Sequence, residues 1–297
     1  MNASVHLLRQ ALPSVVHLRA TVPAEHPSAA ILGTERNGTG TVVAAGVVLT
    51  AHYLLIGADT IEVTTPEGTT LAGTTLGVDF ACGLGVLRVD EDHLPVLPVR
   101  ARDEGKIGED VFLVSSVGDG HRVASGAVSS IGPFEAFWEY LLDRAITTTA
   151  GNPGLGGGPL IDARGRMMGV VALSLAEVGK FTMAIPTSYY LAERSRLLGR
   201  AGAAQPTPRA WLGLTCYTLR HHVVIASLIP GGPAESAGLK PGDVILELDG
   251  AAVSDRRGLY SRFWRHHAGE RLQLRVFRNN GTQTIEVTAG SIEEFFA

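Results

Sequence analysis

The sequence is poor in cysteine and in aromatic residues, and it has no long apolar run. Two cysteines, Cys82 and Cys216, stand among 297 residues, which excludes a disulfide framework but still allows one bridge. Aromatic residues make up 6% of the chain, and 25 basic residues against 29 acidic ones leave a net charge of −4. No run approaches the ~20 apolar residues of a membrane helix. The sequence therefore predicts neither a membrane span nor a nucleic-acid partner.

Targeting and metal-binding patterns are also absent from the sequence. The first ten residues lack the basic segment and apolar core of a secretory signal. We expect a cytoplasmic protein, with the periplasm as the alternative if translation starts upstream of Met1. The histidine pairs at 221–222 and 266–267 have no cysteine or carboxylate at ligand spacing, so we expect no metal and no cofactor.

Glycine is abundant, and it separates many short apolar runs. The 36 glycines break residues 15–186 into runs rich in β-branched side chains, a pattern typical of a β-sandwich or barrel. A helix is predicted over Pro186–Arg200, because leucines follow at helical spacing. Residues 201–209 have the composition of a linker. Five strand-like runs and two helical pieces after residue 210 indicate a small α+β module.

Four motifs in linear order carry a resemblance to a known family. They are Gly46–Asp59, Gly77–Val89, Thr147–Leu160 and Pro230–Ile245. Their order and content resemble the HtrA family, in which a trypsin-like protease domain precedes a PDZ domain. The resemblance implies a mostly β fold: a trypsin-like double six-stranded β-barrel followed by a small α+β PDZ domain. The expected boundaries are residues 1–200 for the barrels, 201–209 for a linker, 210–291 for the PDZ domain and 292–297 for a tail.

The resemblance also places the three catalytic positions of the family on this chain. The histidine position falls on Tyr53, the aspartate position on Gly83 and the serine position on Gly156. Glycine supplies neither a nucleophile nor a carboxylate, and a tyrosine titrates near pH 10, too high for an efficient general base. The loop Gly154, Leu155 and Gly156 would remain only as a remnant of the oxyanion loop. We therefore expect a pseudoprotease, which is not an enzyme.

A hydrolase with a rebuilt active site is the alternative function. His52 stands one residue before Tyr53, and Cys82 stands one residue before Gly83. A cysteine–histidine pair can act as nucleophile and base. Neighbouring residues on a strand face opposite ways, so we expect His52 to point away from the site that Tyr53 faces. A small buried cysteine is also far commoner than a catalytic one.

Three segments are candidates for binding a protein or peptide partner. Arg209–Leu214 resembles the PDZ loop whose backbone amides receive a peptide C-terminus beside an edge strand. The aromatic stretch within 132–142 is a possible partner patch, since such side chains anchor interfaces. The apolar tail is a possible ligand for a PDZ groove of this chain or of a neighbour. The residues concerned are Ala210, Trp211, Leu212, Gly213 and Leu214 in the loop, Phe134, Phe137, Trp138 and Tyr140 in the patch, and Phe295 and Phe296 in the tail.

These segments predict an adaptor, a scaffold or a structural subunit of a larger complex. The resemblance allows a homo-oligomer, since members of the family often form trimers through the protease domain. A purely structural subunit, with no peptide affinity in either groove, is a further reading. An occupied PDZ groove would favour that reading.

Overall fold

The computed structural model describes residues 3–101, 105–175, 181–200 and 207–297. The chain forms two compact units. The first unit combines Met1–Pro133 with Asp143–Ala204, and the second combines Phe134–Leu142 with Gln205–Ala297. Most of the predicted linker, residues 201–206, lies outside the described residues.

The first unit begins with a six-stranded closed barrel. Helix α1 (Ala3–Ala11) precedes the barrel, and the short helix α2 (Ala29–Leu32) follows its first strand. Around the barrel the strands follow the order β1-β2-β3-β6-β5-β4, with all pairs antiparallel. The strands are β1 (Val15–Thr21), β2 (Glu35–Ala44), β3 (Val47–Ala51), β4 (Thr60–Thr64), β5 (Thr70–Asp79) and β6 (Leu84–Val89).

A second closed barrel completes this unit, with the strand order β10-β11-β12-β9-β8-β7. Helix α3 (Thr187–Leu197) follows its last strand, at the position that the leucine spacing predicted. The strands are β7 (Asp110–Val117), β8 (Gly120–Glu135), β9 (Leu141–Thr148), β10 (Pro159–Asp162), β11 (Met167–Leu175) and β12 (Phe181–Pro186). The two six-stranded barrels confirm the expected fold of this part of the chain.

Each barrel closes around β-branched and leucine side chains. These residues favour strands because branched side chains pack well on a pleated surface. Burying one such side chain contributes roughly 1.5–3 kcal/mol. The first core includes Val16, Leu18, Val42, Val48, Val63 and Leu87, and the second includes Val111, Leu113, Ile146, Leu160 and Val171.

The second unit holds a six-stranded antiparallel sheet with three helices. Its main strand order is β13-β14-β15-β17-β18, and β16 pairs with β15. The strands are β13 (Leu214–Leu219), β14 (His222–Leu228), β15 (Val244–Leu248), β16 (Ala251–Ala252), β17 (Arg271–Arg278) and β18 (Gly281–Thr288). The helices are α4 (Pro233–Ser236), α5 (Arg256–Phe263) and α6 (Ile292–Phe295). Strand β13 lies at the edge of the sheet, so one of its sides has no neighbouring strand of that sheet.

Candidate functional site

The predicted histidine position lies in a turn rather than on a strand. Strand β3 ends at Ala51, and His52–Leu54 forms one 3-10 turn. The turn is fixed from outside, because Arg36 Nη1 donates to the Tyr53 carbonyl at 2.8 Å. His52 was expected to lie on a strand, and this premise was wrong. The prediction of its direction from strand alternation therefore does not apply.

The predicted aspartate position lies in a tight turn after β5. Gly83 has φ +82°, where an ordinary side chain costs roughly 1–2 kcal/mol. The Cys82 amide donates to Asp79 Oδ1 at 2.8 Å, and the Gly83 amide donates to the Asp79 carbonyl at 2.9 Å. The Gly83 carbonyl accepts from the His52 amide at 3.0 Å. The structure thus brings the turns of the first two triad positions into contact.

The Tyr53 side chain fills the space at the predicted serine position. A Cβ atom added to Gly156 would overlap the Tyr53 hydroxyl oxygen, and it would lie 3.5 Å from Cζ of the same ring. The Gly156 carbonyl is held by the Thr39 amide at 2.8 Å. The three predicted positions therefore lie close together, and the Tyr53 hydroxyl occupies the volume that any side chain at position 156 would need.

The loop predicted to be the oxyanion remnant is hydrogen-bonded to a neighbouring loop residue and to two strands. The Gly154 amide donates to Asn152 Oδ1 at 3.1 Å. The Leu155 carbonyl accepts from Ser115 Oγ at 3.0 Å and from Thr39 Oγ1 at 3.4 Å. An oxyanion needs donors aimed at it. In this loop the Gly154 amide already has an acceptor, and two hydroxyl groups hold the Leu155 carbonyl in its orientation. The sequence pattern marks Ser115 only as one of a pair of strand hydroxyls and does not distinguish Thr39 or Asn152, because these contacts join residues distant in the chain.

His52 and Cys82 lie near this site, and burial keeps both side chains uncharged. Burial lowers the pKa of His52 to about 4, and its buried Nδ1 has no hydrogen-bond partner among the described residues. Its ring contacts Phe80 edge-on, with centroids 5.8 Å apart. Burial, with the charge of Asp79, raises the pKa of the Cys82 thiol well above its usual value. Neither Cys82 nor Cys216 takes part in a disulfide bond.

The predicted PDZ loop presents its central amides to a carboxylate from the same unit. The amides of Leu212 and Leu214 donate to the two carboxylate oxygens of Glu139, at 3.0 and 2.9 Å. Gly213, between them, has φ +76°. The outer residues serve the fold instead, since the Ala210 amide donates to the His266 carbonyl and Trp211 pairs with Gly290.

The aromatic stretch belongs to the second unit, beside the edge strand of its sheet. Trp138 bridges Thr215 of β13 in antiparallel fashion, and its ring stacks on Tyr140 with centroids 6.3 Å apart. Phe137 is 53% exposed, whereas Tyr140 is buried. Phe134 contacts Tyr140 edge-on. Only part of the predicted patch is therefore available to an external partner.

The C-terminal tail lies elsewhere on the same unit. Ser291 Oγ caps α6 by accepting from the Glu294 amide at 3.1 Å. The cap turns the tail onto Trp211, where the ring centroid of Phe295 lies 4.7 Å and that of Phe296 lies 6.0 Å away. The expectation that the tail enters the groove of its own chain was wrong, because another segment pairs with β13.

Within the described ranges, no three or more histidine, cysteine or acidic side chains are grouped to hold a metal ion. Over the same residues, no helix has the length and apolar content that crossing a membrane demands.

Comparisons with known proteins agree with this architecture. The trypsin-like peptidase domain family matches residues 38–170, and the PDZ domain family matches residues 210–289. A probable periplasmic serine endoprotease, DegP-like, from Halomonas elongata is 30% identical over 273 residues, which cover 85% of this chain and 56% of the relative. The putative serine protease HhoB of Synechocystis is 29% identical over 282 residues, covering 86% and 67%.

Solved structures give the same result. The HtrA-type protease AlgW with tripeptide is 26% identical, has a TM-score of 0.59, and is matched over 98% of this chain and 97% of its own. A serine endoprotease from Yersinia pestis, at 23% identity and TM-score 0.59, shares the fold. The chain spans a little over half the length of the DegP-like relatives. Their periplasmic names give no support to the cytoplasmic expectation and agree with its alternative. The domain matches and these relatives show that the chain belongs to the HtrA-like family, with a trypsin-like peptidase domain and a PDZ domain.

Proposed function

We propose that this chain is a non-catalytic HtrA-like pseudoprotease that binds protein or peptide segments as an adaptor, scaffold or subunit. The observation that carries the proposal is the Tyr53 hydroxyl in the space beside Gly156, where a nucleophilic side chain would begin. Loss of a triad in a serine protease costs on the order of a million-fold in turnover. Here the nucleophile is missing and its space is taken.

The groups around the site do not replace the missing triad. Burial raises the pKa of the Tyr53 hydroxyl, so at neutral pH it is a phenol, which is a poor base. The Cys82 thiol is kept protonated by burial, although a nucleophilic cysteine must be a thiolate. His52 Nδ1 has no hydrogen-bond partner among the described residues, but it is buried and cannot reach a substrate without a local rearrangement.

The binding half of the proposal rests on the second unit. The loop amides of Leu212 and Leu214 converge on a carboxylate, which is how PDZ domains receive a peptide C-terminus beside an edge strand. The AlgW relative is described with a bound tripeptide. The exposed ring of Phe137 offers a further apolar contact.

Casein cleavage and active-site labelling test the catalytic half of the proposal. We expect the purified chain to leave casein intact and to resist a fluorophosphonate probe, which labels activated serine. A Tyr53→His, Gly83→Asp, Gly156→Ser triple variant serves as the control for a rebuilt triad. Cleavage by the wild type that disappears in His52→Ala or Cys82→Ala would overturn the proposal and establish the rebuilt hydrolase.

Native capture tests the binding half of the proposal. We expect the tagged chain, captured from its own cells after cross-linking, to carry a stoichiometric partner that withstands high-salt washing. A homo-oligomer would appear in the same experiment as cross-links between copies. The names of the DegP-like relatives favour the periplasm as the compartment, and cell fractionation checks that location. Recovery of the chain alone, as a monomer, would contradict the binding role.

A further inference from the structure

The open edge of the PDZ sheet is occupied by the chain itself. The 134–142 segment interrupts the first unit in the sequence but belongs to the second unit in the structure. Its Phe137 carbonyl accepts from the Cys216 amide at 2.7 Å, and Trp138 is bridged antiparallel to Thr215. This is the orientation in which an extended ligand adds to an edge strand.

The carboxylate loop is occupied by the same segment. Glu139 is 7% exposed, and its carboxylate oxygens accept from the amides of Leu212 and Leu214. A buried carboxylate loses several kcal/mol of hydration, so it is tolerated only where donors replace water. Two convergent backbone donors offset part of that loss, and the carboxylate in turn satisfies amides that would otherwise be buried without a partner.

A third contact comes from the helix on the far side of the groove. The Tyr260 hydroxyl of α5 lies 3.2 Å from the carbonyl oxygens of both Ala136 and Phe137. The segment also closes on itself, since the Ala136 amide donates to the Tyr140 carbonyl at 2.9 Å. A closed turn has less conformational entropy to lose on docking than a free peptide. The segment therefore spans the groove from β13 to α5 and is preorganised to do so.

We infer that the 134–142 segment is a built-in ligand that keeps the PDZ groove closed, with Glu139 standing in for a C-terminal carboxylate. An external peptide with a free α-carboxylate binds only by displacing it. The inference rests on the peptide-binding half of the proposed function and is independent of the catalytic half. Because the segment is tethered at both ends, its effective concentration at the groove is high. The apparent affinity for peptide equals the affinity of the open groove multiplied by the fraction of chains in which the groove is open.

Peptide retention by the full chain tests the inference. The probe is a pool of random decapeptides with a free C-terminal carboxylate, and the same pool with C-terminal amides is the chemical control. The variants are Glu139→Ala and Glu139→Gln. The glutamine places an NH2 group, which is a donor, opposite the amide donors of the loop. Glu67→Gln, on an exposed turn of the first barrel, is the matched control for loss of one acidic charge.

We expect Glu139→Ala to retain at least about tenfold more of the free-acid pool than the wild type does, because the variant opens a groove that is mostly closed in the wild type. Glu67→Gln should behave as the wild type, and the amidated pool should not be retained. Equal retention by the wild type and both Glu139 variants would overturn the inference while leaving peptide binding intact. Equal retention of the two pools would also overturn it, because the loop would then not be reading a carboxylate.

Amide hydrogen exchange on the wild type supplies a test that needs no variant. We expect the amides of Leu212, Leu214 and Cys216 to be protected, and the protection at Leu212 and Leu214 to fall in Glu139→Gln. Fast exchange of these three amides in the wild type would overturn the inference, since the groove would then be open. Protected amides with no peptide retained by any variant would overturn both the inference and the peptide-binding half of the proposed function.

Discussion

Arg196 of α3 forms an ion pair with Asp79, the residue that shapes the turn at Gly83. Asp79 is 4% exposed and Arg196 is 16% exposed, so both charges have left water. Asp79 also receives the Cys82 amide. The pair therefore holds the turn at Gly83, one wall of the candidate site, in place.

Removing Arg196 should strongly destabilise the first unit. We expect Arg196→Ala to lower the free energy of unfolding by about 3 kcal/mol, because it leaves the buried Asp79 without its counter-ion. Denaturant unfolding measures the change. Arg200→Ala, on an exposed residue just after the same helix, is the control and should cost less than ~0.5 kcal/mol. Similar losses in both variants would show that the ion pair contributes nothing specific.

A methyl group at Gly156 should be costly only while Tyr53 is present. We expect Gly156→Ala to lower the free energy of unfolding by about 2 kcal/mol, because the new Cβ overlaps the Tyr53 hydroxyl. Tyr53→Ala in the same chain should recover a large part of that loss. The coupling is measured by a double-mutant cycle with denaturant unfolding.

Gly151→Ala provides the matched control, since a Cβ there meets nothing within 4 Å and the backbone has no positive φ. It should change stability little, with or without Tyr53. An additive cycle between positions 53 and 156 would refute the overlap.

The buried imidazole of His52 should make the protein less stable in acid. Its folded-state pKa of about 4 lies below the ordinary value of 6.5, so the unfolded chain binds the proton more readily. The contribution is fully present above pH 6.5 and is lost as pH falls toward 4, by about 3 kcal/mol in all. His52→Leu should remove this part of the pH dependence in denaturant unfolding at pH 4.5–7.5. An unchanged profile would mean that His52 is accessible to water in the folded protein.

Glu139 should act in the opposite direction. Burial raises its pKa from 4.5 to about 7, although the amides of Leu212, Gly213 and Leu214 and the charge of Arg209 lower it in part. The folded state therefore binds the proton more tightly. The stabilisation is full below pH 4.5 and is lost as pH rises through 7, by roughly 3 kcal/mol.

The measurement is the stability difference between the wild type and Glu139→Gln at several pH values. The free energy of unfolding of the wild type should fall relative to that of Glu139→Gln as pH rises from 4.5 to 8. Protection factors of the Leu212 and Leu214 amides, which correct for the intrinsic rise of exchange with pH, should fall over the same interval. A flat difference would place the Glu139 carboxylate in water rather than in the loop.

Strand patterns are local, and they predicted a β-rich first part of the chain and a small α+β module after it. The family resemblance added the double barrel, the PDZ domain and the expected triad positions at Tyr53, Gly83 and Gly156. The sequence did not predict that the Tyr53 hydroxyl meets Gly156, since this depends on the 3-10 turn at His52–Leu54. Nor did it single out Glu139, whose loop partners lie 73 and 75 residues away. An acid among aromatic residues was the one available signal.

The overlap at Gly156 also sets an order on any evolutionary return to catalysis. A serine introduced at this position first would meet the Tyr53 hydroxyl and lower the stability of the protein. A histidine at position 53 must come earlier, at a time when it has no nucleophile to serve and brings no benefit. An acid at position 83 must further accept a left-handed backbone. Under the proposed function, each of these substitutions brings no benefit until the others are made, so the structure itself would keep the chain non-catalytic even without selection against proteolysis.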